Sequence, residues 1–241
     1  MEKSLMLDPS DLVGVSFWIM SAAMLAATFF FWVERDRAEG KWKTSLTVAA
    51  MVTGIAALHY FYMRGVWIET GESPTVFRYV DWLLTVPLQI TEFFLILSAI
   101  AVVRAQLFWK LLVASVVMLV TGFLGEVDQM GGGNAGHLWP MFIVGTLAWL
   151  YIIYEIFAGE ASKINAASGT AASQKAFSAL RLIVTVGWSI YPLGYIYGYA
   201  GGGDVDTLNL IYNLADFVNK IAFGVVIWAA ATSVPAKKAK K

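Results

Sequence analysis

The chain contains no cysteine, which excludes disulfide bonds, thiolate metal sites and a cysteine nucleophile. Its two histidines, His59 and His137, are far apart in the sequence, so a histidine-rich metal site is not expected. Charged residues are scarce as well, at 14% of the 241 residues, whereas hydrophobic residues make up 59%. Because a soluble domain of this size carries more charge, the composition predicts a protein that crosses a membrane several times.

Seven apolar stretches are about as long as the roughly 20 residues that a helix needs to span a bilayer. They cover residues 12–33, 44–64, 76–100, 107–126, 138–157, 177–199 and 207–232. The sequence therefore predicts an all-α membrane protein, a bundle of seven transmembrane helices that occupies residues 12–232. An N-terminal segment, 1–11, precedes the bundle and a basic tail, 233–241, follows it.

The connections between these stretches are short, and no soluble domain is inserted between them. Residues 65–75 resemble two short extended runs around a turn, which favours a small hairpin between spans two and three. Residues 163–173 are rich in Ala, Ser and Thr and predict a polar loop. The glycine runs 131–133 and 201–203 predict two further loops from composition alone.

Basic residues are concentrated in every second connection. They are Arg35, Arg37, Lys41, Lys43, Arg104, Lys110, Lys163 and Lys175, together with the lysines of the tail. Because basic residues favour the cytoplasmic side, the pattern predicts an extracellular segment 1–11 and a cytoplasmic tail. Odd-numbered helices then run from the outside to the inside.

The seventh stretch carries two charges near its middle, Asp216 and Lys220. A charged side chain inside a bilayer is costly, so such residues are rare and often functional. The two residues are four apart and share one face of a helix. A buried lysine either pairs with a carboxylate, which would lock helix packing, or reacts, because a desolvated amine forms Schiff bases with carbonyl compounds. This stretch alone does not decide between the two.

The third stretch contains two carboxylates and an arginine. Arg78, Asp81 and Thr85 lie on adjacent turns of one helix face. Glu92 follows Asp81 by about three turns, or about 16 Å along a helix. In the predicted orientation Asp81 lies on the outer side and Glu92 on the inner side. Two carboxylates so placed indicate stations of a proton path. The alternative, that both are satisfied structural polar residues, is disfavoured because two acids and an arginine share one span.

Three segments on separate spans carry the most specific pattern in the chain. They are Arg78-Tyr-Val-Asp81-Trp-Leu-Leu-Thr85-Val-Pro, Trp188-Ser-Ile-Tyr191-Pro192 and Asp216-Phe-Val-Asn-Lys220. Together they resemble the microbial (type 1) rhodopsins, and among these the blue-absorbing proteorhodopsins, from about Val13 to Trp228. The resemblance implies seven helices around all-trans retinal, bound to Lys220 as a Schiff base, in the cell (inner) membrane of a bacterium.

The resemblance also implies roles for the polar residues of the third and seventh spans. Asp81 would be the primary proton acceptor and counterion, with Arg78 and Thr85 on the same helix face. Asp216 would be the second counterion and Glu92 the proton donor. Chloride- and sodium-pumping relatives replace Asp81 with asparagine and Glu92 with glutamine, which this chain does not do. The implied activity is a light-driven pump that moves protons from the cytoplasm to the outside.

Five further residues match the family's chromophore pocket. Trp82, Trp188 and Tyr191 would line the retinal, Tyr212 would lie near the counterions, and Gln89 would lie near the retinal ring. Most of the ten Trp and ten Tyr residues of such a chain serve packing or interfacial belts. In this family glutamine at the position of Gln89 accompanies blue absorption and leucine green absorption, because a dipole near the polyene shifts its ground and excited states unequally.

His59 in the second span matches a family histidine that bonds the acceptor aspartate. On its own a helix histidine is more often a packing or interface residue. The matching histidine also lies at the protomer contact of family oligomers, usually pentamers, where it can meet the tryptophan that matches Trp18. The resemblance therefore implies a homo-oligomer, with a pentamer favoured. Lipid and protons are the other expected partners, and nucleic acid is not one.

Two acidic residues near the outer end of span four, Glu126 and Asp128, are expected to be solvated, with Glu126 a candidate for a release path. The main alternative to a pump is a retinal photosensor with a slow photocycle that signals to a partner. Such sensors often lack a carboxyl group at the position of Glu92. An enzyme is not expected, because no nucleophile–base pair or metal cluster is evident.

Overall fold

The computed structural model describes residues 6–130 and 136–233, and their side chains except those of 128–130. The described chain is almost entirely helical. Its α-helices are α1 (Leu12–Glu34), α2 (Gly40–Thr70), α3 (Thr75–Ser98), α4 (Ala105–Met130), α5 (Leu138–Phe157), α6 (Glu160–Ser168), α7 (Ala171–Leu182), α8 (Ile190–Tyr195), α9 (Val205–Asp216) and α10 (Phe223–Ser233). Three π-helical turns, π1 (Ile183–Gly187), π2 (Ile196–Ala200) and π3 (Phe217–Ala222), interrupt the last helices.

These helices form seven spans that are long and apolar enough to cross a membrane. The fifth span runs through α5 and α6, the sixth from α7 to π2, and the seventh from α9 to α10. The seven-helix prediction is therefore confirmed. Helices suit this environment because they satisfy every backbone hydrogen bond within the segment.

The spans form a closed bundle. Each of α1 to α4 packs along the helix that follows it, and α10 returns to pack against α2 and α7. The third span has the largest buried share of the seven. The polar residues of α3 therefore face the other helices in the centre of the bundle.

The predicted hairpin at residues 65–75 is wrong. Helix α2 continues through Gly65 to Thr70 and ends at Gly71, whose positive φ of 69° lets its N–H bond to the carbonyl of Trp67. A glycine in this left-handed conformation is a common helix terminator. Trp67 is buried and donates its indole N–H to Asp11, which fixes the last turn of the helix.

The predicted polar loop at 163–173 is also wrong, because α6 covers residues up to Ser168. Alanine is the strongest helix former, and the Glu155 carboxylate accepts a hydrogen bond from the first N–H of α6, which stabilises its start. The predicted loop at 201–203 is confirmed, with Gly202 at a φ of 66°. The loop predicted at 131–133 and the tail from residue 234 lie outside the described residues.

Candidate functional site

The Lys220 side chain ends between two carboxylates in the centre of the bundle. Its Nζ lies 2.6 Å from Oδ2 of Asp81 and 2.7 Å from Oδ2 of Asp216. All three side chains are buried. The structure thus joins the third and seventh spans through the three residues that the sequence pattern singled out. Two carboxylates around one ammonium group form a strongly charge-assisted cluster.

Asp216 is held by a set of donors that Asp81 does not have. Tyr60 donates to its Oδ2 at 2.8 Å, Tyr191 to its Oδ1 at 2.6 Å, and the Trp82 indole reaches both oxygens at 3.1 and 3.2 Å. Among the described residues the Asp81 carboxylate accepts a hydrogen bond only from Lys220, at Oδ2, and its Oδ1 accepts none. The two aspartates are therefore chemically unequal although both contact the same nitrogen.

Arg78 does not pair directly with either aspartate. One of its terminal nitrogens donates to the Tyr60 hydroxyl at 3.1 Å, and the other donates to the Asn209 and Asn213 side chains at 2.9 Å each. Its guanidinium also lies over the Tyr212 ring, 5.4 Å from the centroid. Arg78 acts on Asp216 through the Tyr60 hydroxyl, which accepts from the arginine and donates to the carboxylate.

Tyr60, Asn209 and Asn213 were not identified from the sequence. The asparagines could have been found, because Asn209, Asn213, Asp216 and Lys220 follow one another at spacings of four, three and four and so share one helix face. Tyr60 gave no such signal, since it is 156 residues away from the aspartate that it contacts.

His59 lies beside Asp81, as the sequence suggested, although not in good hydrogen-bond geometry. Its Nδ1 is 3.4 Å from Oδ1 of Asp81 and 3.0 Å from the carbonyl of Ile55. The ring is 22% exposed toward the outside of the bundle. Thr85 is buried and donates to the backbone carbonyl of Asp81 at 2.9 Å, so it supports the helix rather than the carboxylate.

Glu92 lies apart from the Lys220 cluster, farther along α3. It is buried, and neither of its carboxyl oxygens makes a hydrogen bond. The Ser45 hydroxyl on α2 is its polar neighbour and is itself without a hydrogen bond. An unpaired charge is costly in such a place, which favours the neutral carboxylic acid.

An apolar cavity adjoins the ion cluster. Residues of α3, α4, α5 and the sixth span line it, and Trp82, Trp149, Trp188, Tyr191, Pro192 and Tyr195 supply its aromatic and ring surfaces. Trp82 and Tyr191 are common to both features: they line the cavity and donate to Asp216. Small-molecule sites are typically apolar clefts of this kind with a few polar groups at one point.

Two residues assigned to the pocket by resemblance do not line this cavity. The Tyr212 hydroxyl lies 3.4 Å from Glu126 Oε1, and its ring packs against Trp82 and beneath Arg78. The Gln89 amide donates to the backbone carbonyl of Asn219 at 3.1 Å, next to Lys220. Both residues therefore touch the framework around the site. A direct contact with a bound chromophore stays a prediction.

The expectation that Glu126 is solvated is wrong. Its side chain is buried and accepts a hydrogen bond from Tyr79 at 2.9 Å. The cause is the aromatic packing between α3 and α4, which covers the end of span four. The side chain of Asp128 lies outside the described residues. His137 precedes α5, as expected for a loop residue.

Comparison with known proteins gives a family. The model of the bacteriorhodopsin-like proteins matches residues 11–234. The chain is 60% identical over 228 residues to the green-light absorbing proteorhodopsin of gamma-proteobacterium EBAC31A08, which covers 93% of this chain and 88% of that one.

Solved structures agree with this match. The crystal structure of blue light-absorbing proteorhodopsin from Med12 is 58% identical, with a TM-score of 0.78 over 92% of this chain and 98% of that one. Xanthorhodopsin, described as a light-driven ion pump with dual chromophore, is 28% identical, with a TM-score of 0.81 over 94% and 95%. With its seven spans, the protein is a multi-pass protein of the bacterial cell membrane. The extent of the family match and the identity to these relatives lead to one conclusion: the chain belongs to the bacteriorhodopsin-like family.

Proposed function

We propose that this chain is a light-driven pump that moves protons out of the cell, with all-trans retinal bound to Lys220. The observation that carries the proposal is the buried Lys220 nitrogen, which lies between two carboxylates beside an apolar cavity. The names of its relatives, proteorhodopsins and a light-driven ion pump, support the same activity. The role is ion transport rather than an enzymatic reaction.

The residues around the cavity fit a long apolar aldehyde. Trp82, Trp188, Tyr191 and Pro192 would hold its chain, and the Lys220 amine is within the same region of the bundle. Bound to the Lys220 amine through a C=N bond, formed from its aldehyde with loss of water, retinal would supply visible absorption and a light-driven change of shape. Side chains of the protein accept the proton, stabilise the charge and return the proton.

Asp81 is the side chain best placed to take a proton from the Lys220 nitrogen. Its Oδ2 is 2.6 Å from that nitrogen, and its Oδ1 is free of hydrogen bonds. Asp216 accepts hydrogen bonds from Tyr60, Tyr191 and Trp82, which stabilise its charge, so it remains the counterion. His59, at 3.4 Å from Asp81, can stabilise the acceptor on its other side.

Glu92 supplies the proton that restores the Lys220 nitrogen. It has no hydrogen-bond partner in the described structure, so a neutral carboxyl group is the favoured state and holds a proton ready. It lies about 16 Å from Asp81 along α3. Glu92 is on the side of the bundle where the connections rich in basic residues lie. A donor on one side of Lys220 and an acceptor on the other give the transfer a direction.

The proposed direction is outward, because the basic residues mark the cytoplasmic side. Arg35, Arg37 and Lys43 flank the start of α2, whereas the turn before α3 and the turn before α9 carry Glu72 and Asp204. By the positive-inside rule Glu92 faces the cytoplasm and Asp81 the outside. Segment 1–11 is then extracellular and the tail 233–241 cytoplasmic.

Gln89 supports blue absorption. Its amide donates to the backbone carbonyl of Asn219, the residue before Lys220, so the Gln89 dipole belongs to the framework that carries the lysine. The similarity to both green and blue members shows that overall identity does not set the colour. We expect Gln89→Leu to shift the visible band to longer wavelength; an unmoved band would remove Gln89 from colour tuning.

The proposed assembly is a homo-oligomer, with a pentamer favoured, that meets through the outer face of α1 and α2. Trp18 is 46% exposed on this face, next to Phe61 and the Arg64 guanidinium, and the partly exposed His59 lies on the same pair of helices. Membrane lipid covers the remaining apolar surface.

Retinal binding is tested with Lys220→Ala, and Lys110→Ala serves as a matched control on the surface of the bundle. The parent and Lys110→Ala should gain a visible band with all-trans retinal, and Lys220→Ala should not. A visible band in Lys220→Ala would contradict the assignment of the attachment site.

Pumping is tested by the pH of the medium in the light. The parent should acidify the medium, and Asp81→Asn should not. A coloured parent without acidification would favour the photosensor.

A further inference from the structure

Two π turns on neighbouring spans meet beside Lys220. Turn π1 (Ile183–Gly187) packs against π3 (Phe217–Ala222), which carries the lysine. Asn219 of π3 is buried at this contact, and its Nδ2 donates to the carbonyl of Gly187 at 3.0 Å and to the Tyr191 hydroxyl at 3.3 Å. Local π-helical turns occur frequently at functional sites, and neither these turns nor Asn219 enters the proton path above.

The contact depends on Gly187. A Cβ atom at this position would overlap the side-chain oxygen of Asn219, so no larger residue fits while the asparagine keeps this position. The lack of a side chain at position 187 thus leaves room for the Asn219 amide that bridges the two spans.

Two further hydrogen bonds tie the same turn to the ion cluster. The Gln89 amide of α3 donates to the backbone carbonyl of Asn219, at 3.1 Å. The Tyr191 hydroxyl that receives the Asn219 amide donates in turn to Oδ1 of Asp216, at 2.6 Å. Asn219 therefore bonds to the sixth span through Gly187 and Tyr191 and to the third span through Gln89. It also precedes Lys220 directly in the chain.

We propose that Asn219 is a positioning residue: it holds π3 against the sixth span so that the Lys220 nitrogen stays between Asp81 and Asp216. The inference rests on the proposed function, since it assigns a role toward the chromophore-bearing lysine. An asparagine that only filled space could be replaced by an apolar residue at little cost. The donating end of this one is aimed at two acceptors in the site, while its oxygen makes no hydrogen bond.

The first test is the visible band of Asn219→Ala with all-trans retinal. A looser ion pair stabilises the ground state less, because the positive charge moves away from the nitrogen on excitation, so the band should move to longer wavelength. Asn165→Ala, which also truncates a buried asparagine but lies in α6, is the matched control and should keep the parent's band.

The second test measures access to the Lys220 linkage. Hydroxylamine cleaves the C=N bond, forming the oxime and the free amine, and it reacts faster when the linkage is less firmly held. Loss of one or two hydrogen bonds should raise the bleaching rate roughly 2- to 10-fold in Asn219→Ala. In the retinal-free protein, amide hydrogen exchange across 217–222 should rise as well, which reports on the turn without the chromophore.

The third test uses the overlap at Gly187. Gly187→Ala in the parent should displace the Asn219 amide and shift the band as Asn219→Ala does. In the Asn219→Ala background the oxygen is gone, so the same change should add little, and the two substitutions should be strongly non-additive.

The inference fails if Asn219→Ala keeps the parent's band, bleaching rate and amide exchange, or if the two substitutions are simply additive. Either outcome leaves the pump intact, because the parent would still be coloured and active. A parent that gains no visible band would instead contradict the proposed function itself.

Discussion

At the scale of single residues, the unequal environments of the two aspartates are the main finding. Both contact the Lys220 nitrogen, but of the two aspartates only Asp216 accepts hydrogen bonds from Tyr60, Tyr191 and Trp82. A carboxylate with several donors holds its charge, whereas one with a single donor is freer to accept a proton. These contacts support the proposed division of roles, with Asp81 as the acceptor and Asp216 as the counterion.

Glu92→Gln should slow the return of the proton to the Lys220 nitrogen by roughly 100-fold, because an amide cannot supply one. The visible band should hardly change, since Glu92 is about three turns of α3 away from Asp81, the residue that contacts Lys220. Time-resolved absorption measures the step, and in the variant its rate should fall with the proton concentration, because only solution protons remain.

Glu92→Asp is the matched control for this substitution. It retains a carboxyl group and should recover much of the rate. An unchanged photocycle in Glu92→Gln would remove Glu92 from the proton path.

At the scale of elements, the third and seventh spans hold the ion cluster and the sixth span bonds to the seventh there. Pro87 has no N–H to bond to the carbonyl of Leu83 in α3, and the Thr91 hydroxyl donates one turn further on, to the carbonyl of Pro87, at 2.8 Å. On the sixth span, the Trp149 indole donates to the carbonyl of Val184 in π1 at 2.9 Å. Side chains thus bond to the irregular backbone inside the bundle, as a membrane interior demands.

The start of α9 gives a prediction outside the membrane-spanning segments. Asp204 accepts hydrogen bonds from the backbone N–H of Thr207 at 2.8 Å and from the Tyr197 hydroxyl at 2.7 Å, and these lower the pKa of Asp204 to about 2. A lowered pKa means that the cap stabilises the fold above the aspartate's ordinary pKa of about 3.9, and that this contribution is lost as the pH falls through about 2.

Asp204→Ala should therefore lower the thermal midpoint near neutral pH, and the difference from the parent should shrink in acid. Asp204→Asn keeps a capping side chain and should retain most of the midpoint without the acid dependence. Thermal melts from about pH 6 down to about pH 2 measure both, because this range runs from above the ordinary pKa of about 3.9 to the lowered pKa of about 2. If the thermal midpoints of the parent and Asp204→Ala differed by a constant amount over this range, the result would contradict the role of the carboxylate.

The lengths of the apolar stretches predicted every span, because a helix must reach a minimum length to cross a bilayer. It did not predict where the helices end: α2 reaches Thr70 through the cap at Gly71, and α6 forms because Glu155 stabilises its start. Lys220, Asp81 and Asp216 could be found since charge inside a span is rare. The π turns could not, because their hydrogen bonds depend on neighbours such as Trp149 and Gln89 that fold against them from distant parts of the sequence.

At the scale of the whole molecule, the proposed oligomer predicts an effect of Trp18→Ala. Truncating this exposed ring on α1 should reduce the largest assembly seen by native mass spectrometry, because the interface loses an aromatic anchor. Trp109→Ala removes another exposed tryptophan ring, on α4, and is the matched control. An unchanged assembly in Trp18→Ala, or an equal loss in both variants, would place the interface elsewhere.

Moving a proton outward against the membrane potential costs about 2.3 kcal/mol per 100 mV, which light absorption can supply easily. The harder requirement is a fixed direction, which the proposed mechanism assigns to Asp81 as the acceptor and Glu92 as the donor on opposite sides of Lys220. The direction of proton transfer is therefore the property of the protein that most needs a direct measurement.

The most direct test is the pH of an unbuffered suspension of cells that contain the protein and all-trans retinal, under blue light. The medium should acidify in the light, and a protonophore or Asp81→Asn should abolish the change. Coloured cells whose medium stays unchanged or becomes alkaline in the light would contradict outward pumping through Asp81.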